Sequence, residues 1–292
     1  MTTALSSSVR TATVSPEQIA DLAVTALHDE ADLTPKPGLI DRRGTGAHTD
    51  MTLDMLHTSA ETLRSAFSEC ADAATQLPVG QTLRARIGAV GRRGERAMLA
   101  ATGGVNTHRG ALWVLGLLAT AAGAGGSSCG QAAALAARLA RIPDPSQLKT
   151  AATPSHGARV RRCYDVAGAP GQARSGFPHV IYVALPALRA TVGGERDPST
   201  SRLQALLAVM ARLDDTCLLH RGGAHALAAV QTGARRVLAG GGITTAEGRQ
   251  RLSVLDELCC AQGLSPGGAG DLLAAALFLD SLYPESGRVC RT

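Results

Sequence analysis

Ala111–Ala124 reads ALWVLGLLATAAGA, the longest uncharged apolar run in the chain. A bilayer-spanning helix needs about 20 such residues, so a run this short predicts a buried core helix. Leu272–Leu279 (LLAAALFL) is likewise apolar all round and reads as a second buried helix. Other segments are amphipathic. Leu56, Ala60, Leu63 and Phe67 recur at helical spacing, as do Leu203, Leu206, Met210 and Leu213. Ser15-Pro16-Glu17-Gln18 and Thr244-Thr245-Ala246-Glu247 both read as capping boxes that open helices. The first helix runs toward Glu30 and must stop before Pro35 and Pro37. Breaks fall at Gly123–Ser128, Ile142–Gly157, Gly193–Thr200 and Gly240–Gly242. No alternating strand pattern persists. The expected architecture is one all-α globular domain over 16–283, with flexible tails at 1–15 and 284–292.

Composition agrees. Of 292 residues, 45% are apolar but only 2% aromatic, so Leu, Ala and Val must build the core, and Ala and Leu favour helix. The net charge of +5 is carried almost wholly by arginine, since Lys36 and Lys149 are the only lysines. Arginine suits phosphate oxygens, but basic runs and stacking aromatics are missing, which argues against nucleic acid. The seven cysteines show no CxxC pair and read as reduced thiols. With no secretory signal or membrane span in the sequence, a soluble cytoplasmic protein is expected.

Five polar constellations interrupt this apolar background. The first, Glu30 with Thr34–Asp41 (TPKPGLID), presents a lysine on a connection fixed by two prolines. The second, Gly46–Met51 (GAHTDM), leads into a helix on which Asp50 and Asp54 stand one turn apart. Asp50 there could meet Mg²⁺, while Asp54 suits the helix N-terminus. The third is Glu95 followed by Thr102–Gly110 (TGGVNTHRG). A glycine-rich loop before a helix can bring backbone N–H groups to an anion, which predicts the floor of a nucleotide site. Asp214–Gly223 (DDTCLLHRGG) offers carboxylates at one end and a possible phosphate cradle at the other. Ser265–Asp271 (SPGGAGD) is a glycine-rich turn into a buried helix. No P-loop, dinucleotide fingerprint or HExxH motif is present. Gly126–Gly130 spells GxSxG without a preceding strand, so no hydrolase elbow is expected. His220 and His225 are too far apart for a one-turn zinc pair.

Taken in order, TPKPGLID, GAHTDM, Glu95 with MLAATGGVNTHRGALW, SGFPHV, DDTCLLHRGG and SPGGAGDLL resemble the triphosphoribosyl-dephospho-CoA synthase family over nearly the whole chain. The resemblance implies an all-helical transferase. Its substrates would be ATP and 3′-dephospho-CoA: the acceptor's 2′-hydroxyl attacks C1 of the ATP ribose, adenine leaves, and the triphosphate stays on the transferred sugar. The product would be the prosthetic-group precursor for an acyl carrier protein, passed to a holo-acyl-carrier-protein synthase or to the carrier subunit. DDTCLLHRGG and THRGALW look more like the malonate decarboxylase branch than the citrate lyase branch, where Asn is more usual at the position of Cys217. Ser155–Gln172 matches less closely: Gly-Glu and Arg-Gly-Glu signatures of the family stand here as His156-Gly157 and Gly171-Gln172.

This chemistry needs a carboxylate to take the hydroxyl proton and an acid to protonate adenine. Asp215 or Glu95 is expected as base and partner of a cationic sugar. His108 is expected as proton donor, or else as a structural histidine bonding the loop. Lys36, Arg109 and Arg221 would hold the triphosphate, and Mg²⁺ would bridge it to Asp50, with Glu30 and Asp271 as further metal ligands. Asn106 and Thr107 would fix ribose hydroxyls. Asp41, His48, Gly103, Gly104, Gly222, Gly223, Gly267 and Gly268 complete the expected substrate contacts. An N-glycohydrolase acting on ATP or ADP-ribose and a non-catalytic carrier of a CoA-like group are the competing readings. A homo-oligomer is compatible with the sequence.

Overall fold

The computed structural model describes residues 14–146, 156–190 and 197–285. Ser15 begins the first helix as its sequence predicts. Its hydroxyl accepts the Gln18 N–H, the Gln18 side chain accepts the Ser15 N–H, and Pro16 occupies the first helical position. Twelve α-helices follow one another among the described residues: α1 (Pro16–Asp32), α2 (Leu53–Gln76), α3 (Gln81–Ala101), α4 (Arg109–Gly123), α5 (Cys129–Arg141), α6 (His156–Tyr164), α7 (Gly168–Arg174), α8 (Leu185–Arg189), α9 (Pro198–Met210), α10 (Thr216–Ala239), α11 (Ala246–Ala261) and α12 (Gly267–Leu282). A π-turn at Val180–Ala184 runs into α8, and a 3₁₀ turn at Gly242–Thr244 precedes α11. No strand occurs among the described residues; Asp41 and Gly44 make one isolated bridge. No described helix is long and apolar enough to cross a membrane.

The two all-apolar runs form the centre. α4 packs against α1, α2, α3, α5, α7 and α12, and α12 packs in turn against α1, α8, α9 and α10. Leu115, Leu118, Phe278 and Leu279 are fully buried there. Leu56, Ala60, Leu63 and Phe67 of α2 form its buried stripe, and Leu203, Leu206 and Met210 do the same on α9.

One local reading shifts, at the start of α11. The cap of α11 is Thr245 rather than Thr244: its hydroxyl accepts the Gly248 N–H, and Glu247 pairs with Arg251 one turn on. The 3₁₀ turn consumes Thr244 and moves the helix start by one residue. Ser128, inside the GxSxG string, is the N-cap of α5 and accepts the Gln131 N–H. Residues 1–13 and 286–292 of the expected tails, and 147–155 and 193–196 of the expected breaks, lie outside the described residues.

Candidate active site

The end of α1 sets the first wall. After the cis Thr34–Pro35 bond the chain turns inward, and Lys36 is only 1% exposed. A buried ammonium needs a counter-charge and acceptors. Glu30 supplies both: Lys36 Nζ donates to Glu30 Oε1 at 2.8 Å and to the Glu30 carbonyl at 2.5 Å. Asp41, expected to contact substrate, is instead a brace. Its carboxylate accepts the Lys36 N–H at 2.8 Å and is forked by the Arg43 guanidinium, which also reaches Asp256 at 2.7 Å. These bonds raise the Arg43 pKa and tie TPKPGLID to α11.

Glu30 reaches the first turn of α12 at Gly270, where its charge and that of Asp215 both act on Asp271. Asp215 is the N-cap of α10, where Oδ1 accepts the Cys217 N–H at 2.8 Å. Its Oδ2 accepts the Ala269 N–H from the first turn of α12 at 3.0 Å. One buried carboxylate therefore joins two helix N-termini, where negative charge is favoured. Even so, burial pushes the Asp215 pKa up, and the N–H groups of Cys217, Ala269 and Leu218 only partly oppose it. Asp271 lies against the opening turn of α4. Burial, then the charges of Asp215 and Glu30, raise its pKa well above the usual carboxylate range, with the Ala111 amide opposing. The negative charges of Asp215 and Glu30 thus favour a protonated Asp271.

Glycine makes the approach possible. A methyl group on Gly110 would lie 1.9 Å from Asp271 Oδ2, on Gly268 3.0 Å from Asp215 Oδ1, and on Gly270 3.0 Å from Glu30 Oε1. Gly267 and Gly268, expected as nucleotide contacts, thus admit Cys217 and Asp215 to the α12 backbone. Burial and then the charges of Asp215 and Asp271 keep Cys217 a thiol.

The loop Thr102–His108 differs from the nucleotide floor its composition predicts, because its polar groups bond to the protein. Gly103 and Gly104 take positive φ, and the Gly104 N–H reaches the Leu99 carbonyl, a helix-ending arrangement for α3. Asn106 Oδ1 accepts the Arg109 N–H, and the Thr107 hydroxyl donates to Ser59 Oγ, so these two groups brace the loop. His108 is buried with Nδ1 2.8 Å from Ser59 Oγ. Burial, then the positive charge of Lys36, lowers its pKa to about 3. It is neutral near pH 7, which does not suit the imidazolium donor expected of it; its ring bonds Ser59 of α2 and not the loop, and its buried Nε2 has no partner. The first turn of α4, expected to meet a phosphate, faces Asp271. Arg109 pairs with Glu95 at 2.6 Å on a half-exposed surface, so the expected triphosphate ligand and the expected base neutralise each other.

On the far side, His48 lies between Ser265 Oγ (2.9 Å from Nε2) and Arg221 (3.2 Å from Nδ1). Burial, then Arg221, lowers its pKa. Arg221 is exposed and also reaches the carbonyls of Ala47 and Gly263. Gly223, with φ 69° and ψ −164°, breaks α10 into two helices and so makes a kink where a phosphate cradle was expected; Gly222 packs on Ala226 and Leu264. Glu30, Asp50 and Asp271 do not gather into a metal site. Glu30 holds Lys36, Asp50 is exposed beside His48 at 3.7 Å, and no cluster of three or more His, Cys, Asp or Glu side chains suited to a metal exists among the described residues.

Ser59, Gly110 and Gly270 are site residues that the sequence reading missed. Ser59 sits beside Ala60 on the buried stripe of α2, and a polar residue on that stripe is the one signal that could have revealed it.

Residues 16–289 match the family model described as ATP:dephospho-CoA triphosphoribosyl transferase. The chain is 52% identical to a probable 2-(5″-triphosphoribosyl)-3′-dephosphocoenzyme-A synthase of Pseudomonas syringae pv. syringae, over 94% of this chain and 95% of that protein. It is 53% identical to a protein of the same name from Pseudomonas fluorescens Pf-5, over 93% and 92%. A third, from Azotobacter vinelandii, is 52% identical over 93% of each. No solved structure matches. With the motif segments converging on one acidic seam and the match running from the first helix past the last, the chain belongs to the ATP:dephospho-CoA triphosphoribosyl transferase family and is a transferase enzyme.

Proposed function

We propose that the chain moves the 5-triphosphoribosyl group of ATP to the 2′-hydroxyl of 3′-dephospho-CoA and releases adenine. The observation that carries this reading is the placement of two carboxyl groups where helices begin: Asp215 bonds the first turns of α10 and α12, and Asp271 lies against the first turn of α4, with burial raising both pKa values. The acceptor oxygen forms a bond to C1 of the ribose as the C1–N bond to adenine breaks, and the bonding electrons leave with adenine. The ionised member of the pair takes the hydroxyl proton. The protonated member supplies the proton that adenine needs, a role for Asp271 in place of His108. Positive charge growing on the sugar is stabilised by the same carboxylates. An α-linked product means inversion, hence direct displacement without a covalent enzyme intermediate.

Lys36 holds Glu30 near Asp271, and the exposed Arg221, braced by His48 and the carbonyls of Ala47 and Gly263, presents a positive group for phosphate. On this reading Mg²⁺ enters as the counter-ion of the triphosphate and not in a three-carboxylate protein site. Both substrates place the enzyme in the cytoplasm. Cys217 within DDTCLLHRGG supports a product destined for the acyl carrier protein of malonate decarboxylase.

Free adenine, measured by chromatography after incubation with ATP and Mg²⁺, tests the reaction. Adenine formed only when 3′-dephospho-CoA is present, with a matching mass increase on that acceptor, is the expected result. Adenine formed equally without the acceptor would make the chain a glycohydrolase, and none under either condition would remove the reaction.

A further inference from the structure

Ser155–Gln172, the segment that matches the family least closely, has no part in the acidic seam, yet it lies along the first two turns of α10. α6 packs on α10, and the chain then turns at Asp165 and Gly168, both with positive φ. At one end of this contact, a methyl group on Gly168 would be 3.2 Å from Cγ2 of Thr216, the residue directly after Asp215. At the other end, a methyl group on Gly223 would be 3.2 Å from the hydroxyl oxygen of Tyr164, the last residue of α6. Thr216 and Gly223 are two turns apart on one face of α10, a separation of about 10 Å. Tyr164 thus stands over the kink of the HRGG motif, with Asp215 at the opposite end of the same face.

Aromatic side chains are few here: one Trp, three Tyr and three Phe in the whole chain. Phe67, Phe177 and Phe278 are wholly buried in the core. Trp113 lies beneath the Arg84 guanidinium, and Tyr283 donates its hydroxyl to the Gly126 carbonyl. The exposed aromatics are Tyr182 and Tyr164, and Tyr182 sits on the π-turn packed against α8, α9 and α12. Tyr164, 43% exposed, is the one that reaches a motif, and its hydroxyl has no hydrogen bond among the described residues. The fold therefore uses little of this ring.

We propose that the Tyr164 ring stacks on the adenine of a bound nucleotide laid along the first two turns of α10. The inference rests on the transferase reading. In ATP adenine is joined to the ribose carbon that reacts, and in 3′-dephospho-CoA to the ribose whose 2′-hydroxyl attacks. Either base lies one sugar away from the reacting atoms, so a base directed from Asp215 along α10 meets Tyr164. A flat ring with one exposed face suits a purine, and stacking of this kind makes no demand on the hydroxyl.

The test compares Tyr164→Leu, which removes the ring, with Tyr164→Trp, which enlarges it, and with Tyr182→Leu as the control. Calorimetric titration with ATP alone and with 3′-dephospho-CoA alone gives affinities that require no turnover. Tyr164→Leu should weaken at least one of them by about fivefold or more, while Tyr164→Trp stays within about twofold of the parent or binds more tightly. Tyr182→Leu should change neither affinity, and all three should melt close to the parent. A loss confined to ATP assigns the stack to the departing adenine; one confined to dephospho-CoA assigns it to the adenine of the acceptor. Both affinities within about twofold of the parent in Tyr164→Leu, or equal losses in the Leu and Trp variants, overturn the proposal. If the parent binds nucleotide but releases no adenine, the transferase reading fails by itself, and the titrations still decide the stack.

Discussion

Asp215 is a buried and Asp271 a partly buried aspartate, both at helix starts, yet their amides should behave oppositely. Asp271 is charged at a cost, because its folded pKa is raised above the unfolded value. The cost is absent below the ordinary carboxylate range near about 3.9, grows as pH rises, and levels off above the folded pKa. Asp271→Asn should therefore melt higher than the parent at pH 8, show little gain at pH 4, and lose turnover at both; thermal melts and adenine release check this. Asp215 accepts one N–H on each oxygen, so Asp215→Asn turns an amide donor onto either Cys217 or Ala269. It should lose about 1–2 kcal/mol in urea unfolding as well as activity. At this scale the sequence was legible in part. Asp215, Lys36 and Gly268 announce themselves by sitting in motifs. Asn106, Thr107 and Asp41 announce themselves equally, but a residue type cannot show that each also bonds a neighbour, here Arg109, Ser59 and Arg43.

Helices were the easiest features to read, because two runs without charge and several 3.6-residue stripes leave few other ways to bury Leu and Ala. Their junctions were harder. Gly222-Gly223 looks the same in sequence whether it cradles a phosphate or bends a helix, and only the backbone angles distinguish them. Gly223 occupies a region that side chains scarcely enter, at a cost on the order of 1–3 kcal/mol. Gly223→Ala should lower the unfolding free energy by that amount. By disturbing the angle between Asp215 and the body of α10, it should also reduce kcat more than KM, which steady-state kinetics would show. The shift of the α11 cap to Thr245 has a similar origin: adjacent threonines offer two starts, and the Gly242–Thr244 turn selects the second.

For the molecule as a whole, two groups tilt stability in opposite directions. His108, with its pKa lowered to about 3, is neutral in the folded chain while the unfolded chain takes up a proton near about pH 6.5. Its contribution is complete above that pH and falls away progressively toward pH 3. Asp271 works against the alkaline side. The melting temperature should therefore peak in mildly acid to neutral buffer, and His108→Asn should flatten the acid limb between about pH 6.5 and 3 in a series of thermal melts. Neither slope was legible from composition, since net charge says nothing about which groups are sealed from water. The one-domain plan was, because no linker or repeat divides the helical pattern. The fit of Gly110, Gly268 and Gly270 against three carboxylates also bears on how such a chain can drift over generations. A random library sorted for soluble expression and the same library sorted for adenine release should both keep glycine at position 110, where any side chain meets Asp271 Oδ2 at 1.9 Å. At Gly268 and Gly270, where the contact is 3.0 Å, the sort for adenine release should be the stricter, and that disagreement would outline the seam without any ligand bound.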